Sequence, residues 1–252
     1  MKVLVGSPVY RQGAYVLDKF LRNQKQIQDI RPDCDLVLST QDLDYTGELR
    51  QELLKLGLRG TVISHTPQKP AYARHKAWNI ASARESIRQY FLSQPEAGHL
   101  LFLDADMTFD PAVVNILEKE LVNQEAVFSG LILRTHRPGL TAGGCLMMRR
   151  AAVEKVKFRC YEFSNGQYIT EDNVLEMDLY RQKCRIKKGF FAANVHYITP
   201  TDIQETQPHQ VGLYSQVMTS AFLRYWLLRA SVFLHFNIPT GGRKFVRGIF
   251  GK

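Results

Sequence analysis

The chain is 252 residues long, 45% apolar, and carries a formal net charge of +9. Such a composition supports one full hydrophobic core and excludes a low-complexity chain. Its four cysteines, Cys34, Cys145, Cys160 and Cys184, are widely spaced, with no C-x-x-C pair and no histidine cluster at zinc spacing, which excludes a disulfide framework and a zinc ribbon and points to a reducing compartment.

Taken in order, the chain begins with an apolar run at residues 2–6, interrupted by Ser7-Pro8 too early for a signal peptide. A cytoplasmic protein is therefore expected. Further strand-like runs fall at residues 36–39, 61–64, 100–103, 127–133 and 140–148, and helical periodicity at 14–30, 47–56, 71–92 and 111–123. Arg74, with Arg84 and Arg88, reads from the residues alone as a solvated charge on the third of these helices. The alternation predicts an α/β fold, a single Rossmann-like domain with a mixed, mostly parallel central sheet. In such sheets ligands bind beyond the carboxyl ends of the strands, where Ser7-Pro8-Val9-Tyr10 and Asp104-Ala105-Asp106 both fall. A later helix, 170–183, opens on Thr170 as N-cap with Glu171 and Asp172 in its first turn, an arrangement that capping alone would account for.

Asp104 and Asp106 follow the apolar run at 100–103 and precede the helix signal Thr108-Phe109-Asp110-Pro111. Two carboxylates at a strand mouth can hold a divalent cation, and the cation a diphosphate. The spacing alone says little, because 12 Asp in 252 residues give about 0.6 Asp-x-Asp steps by chance and the chain has three. Asp33/Asp35 and Asp42/Asp44 are the others. Context selects the pair at 104 and 106.

The only convincing boundary is the Thr-, Gln- and Pro-rich stretch at 200–208, which divides residues 1–205 from a basic tail, 206–252. No Asp or Glu follows Glu205, whereas Arg224, Arg229, Arg243, Lys244, Arg247 and Lys252 do. Within residues 219–236, Ser220, Arg224, Ser231 and His235 share one narrow helical face and Arg229 lies opposite. Two arginines in 18 residues argue against a membrane span. An interfacial amphipathic helix that meets an anionic membrane through residues 213–252 is one expectation, and a helix packed on its own domain or in a dimer interface is the other. The tail's aromatics sit among aliphatics, not as a stacking platform, so nucleic acid is not an expected partner.

With these segments in order, residues 1 to about 200 resemble the nucleotide-sugar glycosyltransferases of the A-type fold, within them the large inverting, family-2-like group. The resemblance is carried by Ser7-Pro8-Val9-Tyr10, the helix start Ala73-Arg74-His75-Lys76-Ala77-Trp78-Asn79, Asp104-Ala105-Asp106, the glycine pair in the segment 141–150, Thr170-Glu171-Asp172, and His196. It implies that Pro8 and Tyr10 line the base and ribose pocket, with Asp42 near the base, where Ser39 and Thr40 compete for that role. It further implies that Arg74 reaches the nucleotide, that Asp104 contacts ribose or metal, and that Asp106 and His196 hold Mn2+ or Mg2+, with His209 as the alternative ligand. Gly143 and Gly144 would let the backbone approach donor and acceptor sugars, although a strand bulge would also use them. Asp172 would be the base that takes the acceptor proton.

The implied activity is metal-dependent, inverting transfer of one sugar from a nucleotide-diphosphate donor to a glycan or lipid-linked acceptor, hexosyltransferase-type, peripheral at the inner face of the membrane. Arg11 and Gln12 depart from the family pattern after Tyr10. The Gln-x-x-Arg-Trp signature of processive synthases is absent, which favours single-sugar transfer. Competing readings are a retaining enzyme of the same fold, a nucleotidyltransferase, for which the loop at 6–13 is too sparse in glycine and base, and a non-catalytic lipid- or nucleic-acid-binding module.

Overall fold

The computed structural model describes residues 1–70, 75–134, 137–141, 144–162 and 168–209, together with six helical positions between 222 and 230. Side chains at 131–143 lie outside that description. The elements run β1 (Lys2–Pro8), a 3-10 turn at Arg11–Gly13, α1 (Ala14–Ile30), β2 (Cys34–Thr40), α2 (Leu43–Lys55), β3 (Gly60–Ser64), α3 (Ala77–Leu92), β4 (Ala97–Leu103), β5 (Met107–Phe109) and α4 (Val113–Glu120). They continue with β6 (Ala126–Ser129), β7 (Leu131–Arg134), β8 (Arg137–Thr141), β9 (Cys145–Arg149), α5 (Arg150–Val153), β10 (Tyr161–Glu162), β11 (Tyr168–Ile169), α6 (Glu171–Arg181), β12 (Ile186–Gly189), β13 (Asn194–Tyr197) and β14 (Ile203–Thr206).

Seven strands form one sheet in the order β12-β6-β9-β4-β1-β2-β3, parallel throughout except that β9 lies antiparallel between β4 and β6. The sheet is thus mixed and mostly parallel, as its sequence pattern predicts. Alternation explains how it is buried on both faces. Val3, Val5, Leu36, Leu38, Leu101 and Leu103 face one core with α1, α2 and α4, while Leu4, Val37, Leu100 and Phe102 face another with α3, α5 and α6. A Cβ on Gly6 would fall 2.4 Å from Ile87 Cγ2, so glycine is what lets α3 lie flat on β1. Each fully buried Phe or Leu contributes roughly 1.5–3 kcal/mol by area removed from water.

Several boundaries differ from the sequence pattern for local reasons. Helix α2 starts at Leu43, not 47, because Asp42 caps it by accepting from Tyr45 N at 3.0 Å. The strand expected at 127–133 divides at Gly130, whose φ of 156° suits glycine alone, and the one expected at 140–148 divides into β8 and β9 with a turn at Gly144. Arg84 and Arg88, expected to be solvated, are buried at 3% and 4% exposure. They belong to the stripe Ala77, Ala81, Arg84, Arg88, Phe91 that α3 turns inward.

Beyond the main sheet, β5 and β14 flank β13 in a small antiparallel sheet. Asn23 of α1 fixes β5 through a two-way amide clamp, donating to Phe109 O and accepting from Phe109 N, both at 2.8 Å. The boundary expected at residue 205 falls inside β14, and His209 N still donates to Phe190 O at 3.1 Å. Among the described residues no helix is long and apolar enough to cross a membrane. Phe222 and Tyr225 rest against Tyr180 of α6, while Trp226 is half exposed. Most of 213–252, including Arg224 and the basic residues after 242, lies outside the described residues.

Candidate active site

The carboxyl ends of β1 and β4, the start of α3, the start of α6 and the small sheet enclose one cavity of about 1350 Å³. Ser7 Oγ donates to Leu103 O at 2.6 Å and so ties the two strand ends together. Pro8, Val9 and Tyr10 form one wall. The Tyr10 hydroxyl is buried with no hydrogen-bond partner, and its pKa is raised, chiefly by burial.

The acidic step is held by backbone. Asp104 N donates to Gly144 O at 3.0 Å, Met107 N to Asp104 O at 3.1 Å, and Tyr197 N to Asp106 O at 2.9 Å. Pairing of β5 with β13 sets His196 opposite Met107, and its Nε2 lies 3.4 Å from Asp106 Oδ2. That contact raises the His196 pKa above its usual value. Asp106 Oδ1 is closed off from solvent and has no hydrogen-bond partner. A Cβ on Gly144 would come within 3.0 Å of Asp104 Oδ2, so the turn before β9 is kept bare where it passes the carboxylate.

Arg84 stands at the centre. Its Nη2 donates to Asp104 Oδ1 at 2.7 Å and its Nη1 to Glu171 Oε1 at 2.8 Å, while Nε is buried without a partner. Burial would lower the Arg84 pKa, but Asp104 and Glu171 outweigh it and hold the guanidinium charged. Burial raises Glu171, with Arg84 opposing and Asp172 reinforcing the shift. It also raises Asp104, a third of whose side chain still faces the cavity, against the pull of Arg84 and with a push from Asp106.

Thr170 occupies the N-cap position of α6 as its sequence suggests, but its hydroxyl makes no capping bond. It donates instead to Asp172 Oδ1, which also accepts from Asn173 N at 2.8 Å and Asn173 Nδ2 at 3.1 Å. Asp172 is therefore locked in orientation at the cavity wall, a demand that capping alone does not make.

The candidates named from sequence thus divide. Pro8, Tyr10, Asp104, Asp106, Gly144, Asp172 and His196 converge on the cavity. Asp42 is committed elsewhere: besides capping α2 it accepts from Arg11 Nε at 2.9 Å, and Gln41 lines the cavity in its place. Arg74 and Gly143 lie outside the described residues. His209 stacks on Phe190 at 4.2 Å, and its Nδ1 contacts Gln207 O at 2.8 Å, so it reaches the cavity without meeting Asp106 in the way His196 does. Lys76, Asn79, Arg84 and Glu171 also line the cavity, although the sequence reading gave none of them a role in the site. For Arg84 the signal was present, an arginine in an inward helical stripe.

Among the described residues no three His, Cys, Asp or Glu side chains form a ready metal cage. A divalent ion nevertheless fits. Asp106 offers a buried acceptor without a partner and His196 an imidazole beside it. One or two carboxylates completed by substrate phosphates is the usual manner of holding Mg2+.

No family model matches the sequence, and no curated protein matches it. Solved structures do. Residues 1–349 of TarS from S. aureus, in complex with UDP-GlcNAc, superpose with a TM-score of 0.52 at 12% identity, covering 96% of this chain and 78% of that one. The mannosyltransferase PcManGT from Pyrobaculum calidifontis, in complex with GDP-Man and Mn2+, gives 0.51 at 14% identity, covering 74% of this chain and 54% of that one. A longer TarS chain gives 0.52 at 14% identity, and only 35% of its length is covered. At such identities the likeness establishes architecture: the fold is of the glycosyltransferase A type.

Proposed function

We propose that the protein is a metal-dependent glycosyltransferase of the hexosyltransferase type, moving one sugar from a nucleotide diphosphate to a hydroxyl of a glycan or lipid-linked acceptor with inversion. The observation that carries this reading is the convergence in one cavity of Asp104, Asp106, Asp172 and His196, brought from three separate segments to the strand ends. The UDP-GlcNAc and GDP-Man carried by the two structural neighbours support a nucleotide-sugar donor, and the Mn2+ of one supports a divalent ion.

Asp106 and His196, with Asp104 beside them, would hold the ion, which when bound neutralises charge on the leaving diphosphate. Pro8, Tyr10 and Gln41 bind the nucleoside. Lys76, at the start of α3, places a cation near the phosphates, where the helix N-terminus also favours an anion. Gly144 lets the sugar come close to the backbone. Asp172 takes the acceptor hydroxyl proton as the acceptor oxygen bonds to the anomeric carbon and the bond from that carbon to the diphosphate oxygen breaks. With base and leaving group on opposite sides of the sugar, the anomeric configuration inverts. The catalytic part runs past residue 205 through β14 and His209, and residues 213–252, with the half-exposed Trp226 and the basic residues, rest on an anionic membrane surface.

The test is manganese-dependent hydrolysis and transfer across a panel of nucleotide-sugars, with anomer analysis of the product. Asp172→Asn is expected to lower kcat by about 10²–10⁴ while donor binding persists, and near-normal turnover would remove Asp172 from the role of base. Retention of configuration would leave the fold and cavity intact and replace the inverting step. Release of pyrophosphate from a nucleoside triphosphate would favour a nucleotidyltransferase instead. Deleting 213–252 should abolish binding to anionic vesicles and spare donor hydrolysis.

A further inference from the structure

We infer that Glu171 is a positioning residue for the proposed transfer: through Arg84 it holds the Asp104 carboxylate and fixes the start of α6, which carries Asp172, against the end of β4. The inference rests on the glycosyltransferase reading of the cavity. Its basis is a linear chain of contacts in which one guanidinium donates with Nη1 to Glu171 Oε1 at 2.8 Å and with Nη2 to Asp104 Oδ1 at 2.7 Å. Three segments distant in sequence, α3, the turn after β4 and the start of α6, thus meet through a single side chain.

Helix capping does not explain an acid at 171. Such an acid acts on the helix dipole from the surface, whereas the Glu171 side chain is 7% exposed and turned onto Arg84. Nor does stability favour the arrangement, because buried ion pairs are commonly matched or bettered by apolar side chains of similar volume. The division of Arg84 between two acids has a specific consequence. An arginine facing one carboxylate tends to close on both its oxygens. Pulled also by Glu171, Arg84 donates to Oδ1 of Asp104 alone, and Asp104 Oδ2 lies on the side where Gly144 passes without a Cβ. Phe102, whose ring centroid lies 5.7 Å from the guanidinium carbon, limits how far Arg84 can move. Glu171 therefore sets which oxygen of Asp104 faces the donor, and keeps Asp172 at a fixed distance from it.

The experiment compares full-length wild type, Glu171→Gln, Asp104→Asn and the double variant in manganese-dependent transfer, with thermal unfolding measured on each. Glu171→Gln is expected to lower kcat by about 10–100-fold, as loss of a group that orients a ligand-bearing side chain does. The donor KM should stay within about threefold, because the binding groups themselves remain. Since Glu171 acts through Arg84 on Asp104 as well as on the start of α6, the double variant should lose clearly less than the product of the two single losses, a coupling that independent sites would not give. A Glu171→Gln kcat within twofold of wild type, or effects that multiply in the double variant, overturns the inference. If Glu171→Gln has no cooperative unfolding transition, Arg84→Lys takes its place. Keeping the charge but not the fork, it should lower kcat at least tenfold, and unchanged turnover overturns the inference. A wild type that acts on no nucleotide-sugar overturns the glycosyltransferase reading and this one together. An active wild type with an unaffected Glu171→Gln overturns this one alone.

Discussion

Two arginines, each set between two carboxylates, stand at opposite ends of the central sheet. At the amino end, Arg31 meets Asp33 through Nε and Nη2, both at 2.9 Å, and Glu118 through Nη1 and Nη2 at 2.6 and 3.3 Å, with Asn115 Oδ1 accepting from Nη1 at 2.7 Å. Every donor nitrogen of that guanidinium has a partner. At the carboxyl end, Arg84 makes one contact to each acid, its Nε has none, and Tyr10 and Asp106 nearby also hold polar atoms without partners. A network built only to join α1 to α4 can saturate itself, since nothing else must enter. A network built around a ligand leaves groups unmatched until the ligand arrives. Single unmatched side-chain atoms also occur elsewhere, on Gln24, Tyr45, His65 and His99, but Tyr10, Arg84 and Asp106 bring three of them to one cavity.

Removing an unmatched group should cost activity and little stability. Asp106→Ala is expected to abolish manganese-dependent hydrolysis of the donor, a loss of at least about 10³-fold if the ion supplies several kcal/mol of charge stabilisation, while the unfolding midpoint moves by no more than a few degrees. An active Asp106→Ala protein would end the metal reading. Arg84→Met is expected to damage both properties. It leaves Glu171 buried and unpaired, a change that costs about 3–5 kcal/mol, and it releases Asp104. Denaturant unfolding and donor hydrolysis on the same preparation check this, and a stable but inactive variant would show that Arg84 has no part in holding the fold.

The contrast also explains what the sequence could disclose. The strands β1, β2 and β4 bury both faces and so read as continuous apolar runs, and the turns that end them bear Pro8 and Asp104 where a parallel sheet puts its ligands. The second half is less legible because its strands are short. β12, with Lys187 and Lys188, and β14, which is mostly exposed, have no period to detect. Arg84 and Glu171 were hidden for another reason: a charged residue in a helical pattern is normally solvated, and only the tertiary pairing of one with the other makes both burials tolerable. Asp42 shows the converse, a well-placed acid whose oxygens the local helix and Arg11 already occupy.

At the amino end, where the guanidinium itself is fully paired, the expectation reverses. Arg31→Met should lower stability by roughly 1.5–3 kcal/mol, the range for hydrogen bonds to charged groups, and leave kcat of the donor reaction unchanged. A fall in kcat without a fall in stability would make the two ends of the sheet communicate and break the comparison.

The smallest effect separates the two ends by the sign of their pH dependence. His99 lies in the Arg31 network, 3.2 Å from Glu118, and its pKa is lowered, chiefly by burial. His196, in the cavity, has its pKa raised, chiefly by Asp106. A histidine with a depressed folded-state pKa supplies stability that is complete above its unfolded value, near 6.5, and is lost as pH falls below it. One with a raised pKa supplies stability that is complete below 6.5 and is lost as pH rises through the folded value. Going from pH 7.5 to 5.5 without added metal, His99 should therefore destabilise the protein and His196, half-exposed and screened, should stabilise it slightly. Urea unfolding at both pH values measures the two separately. His99→Gln should shrink the loss of stability on acidification, His196→Gln should enlarge it, and Mn2+ should erase the His196 contribution in wild type by replacing the proton. If both substitutions shift the acid response in the same direction, the charge environments of the two ends are not the opposites that their contacts describe.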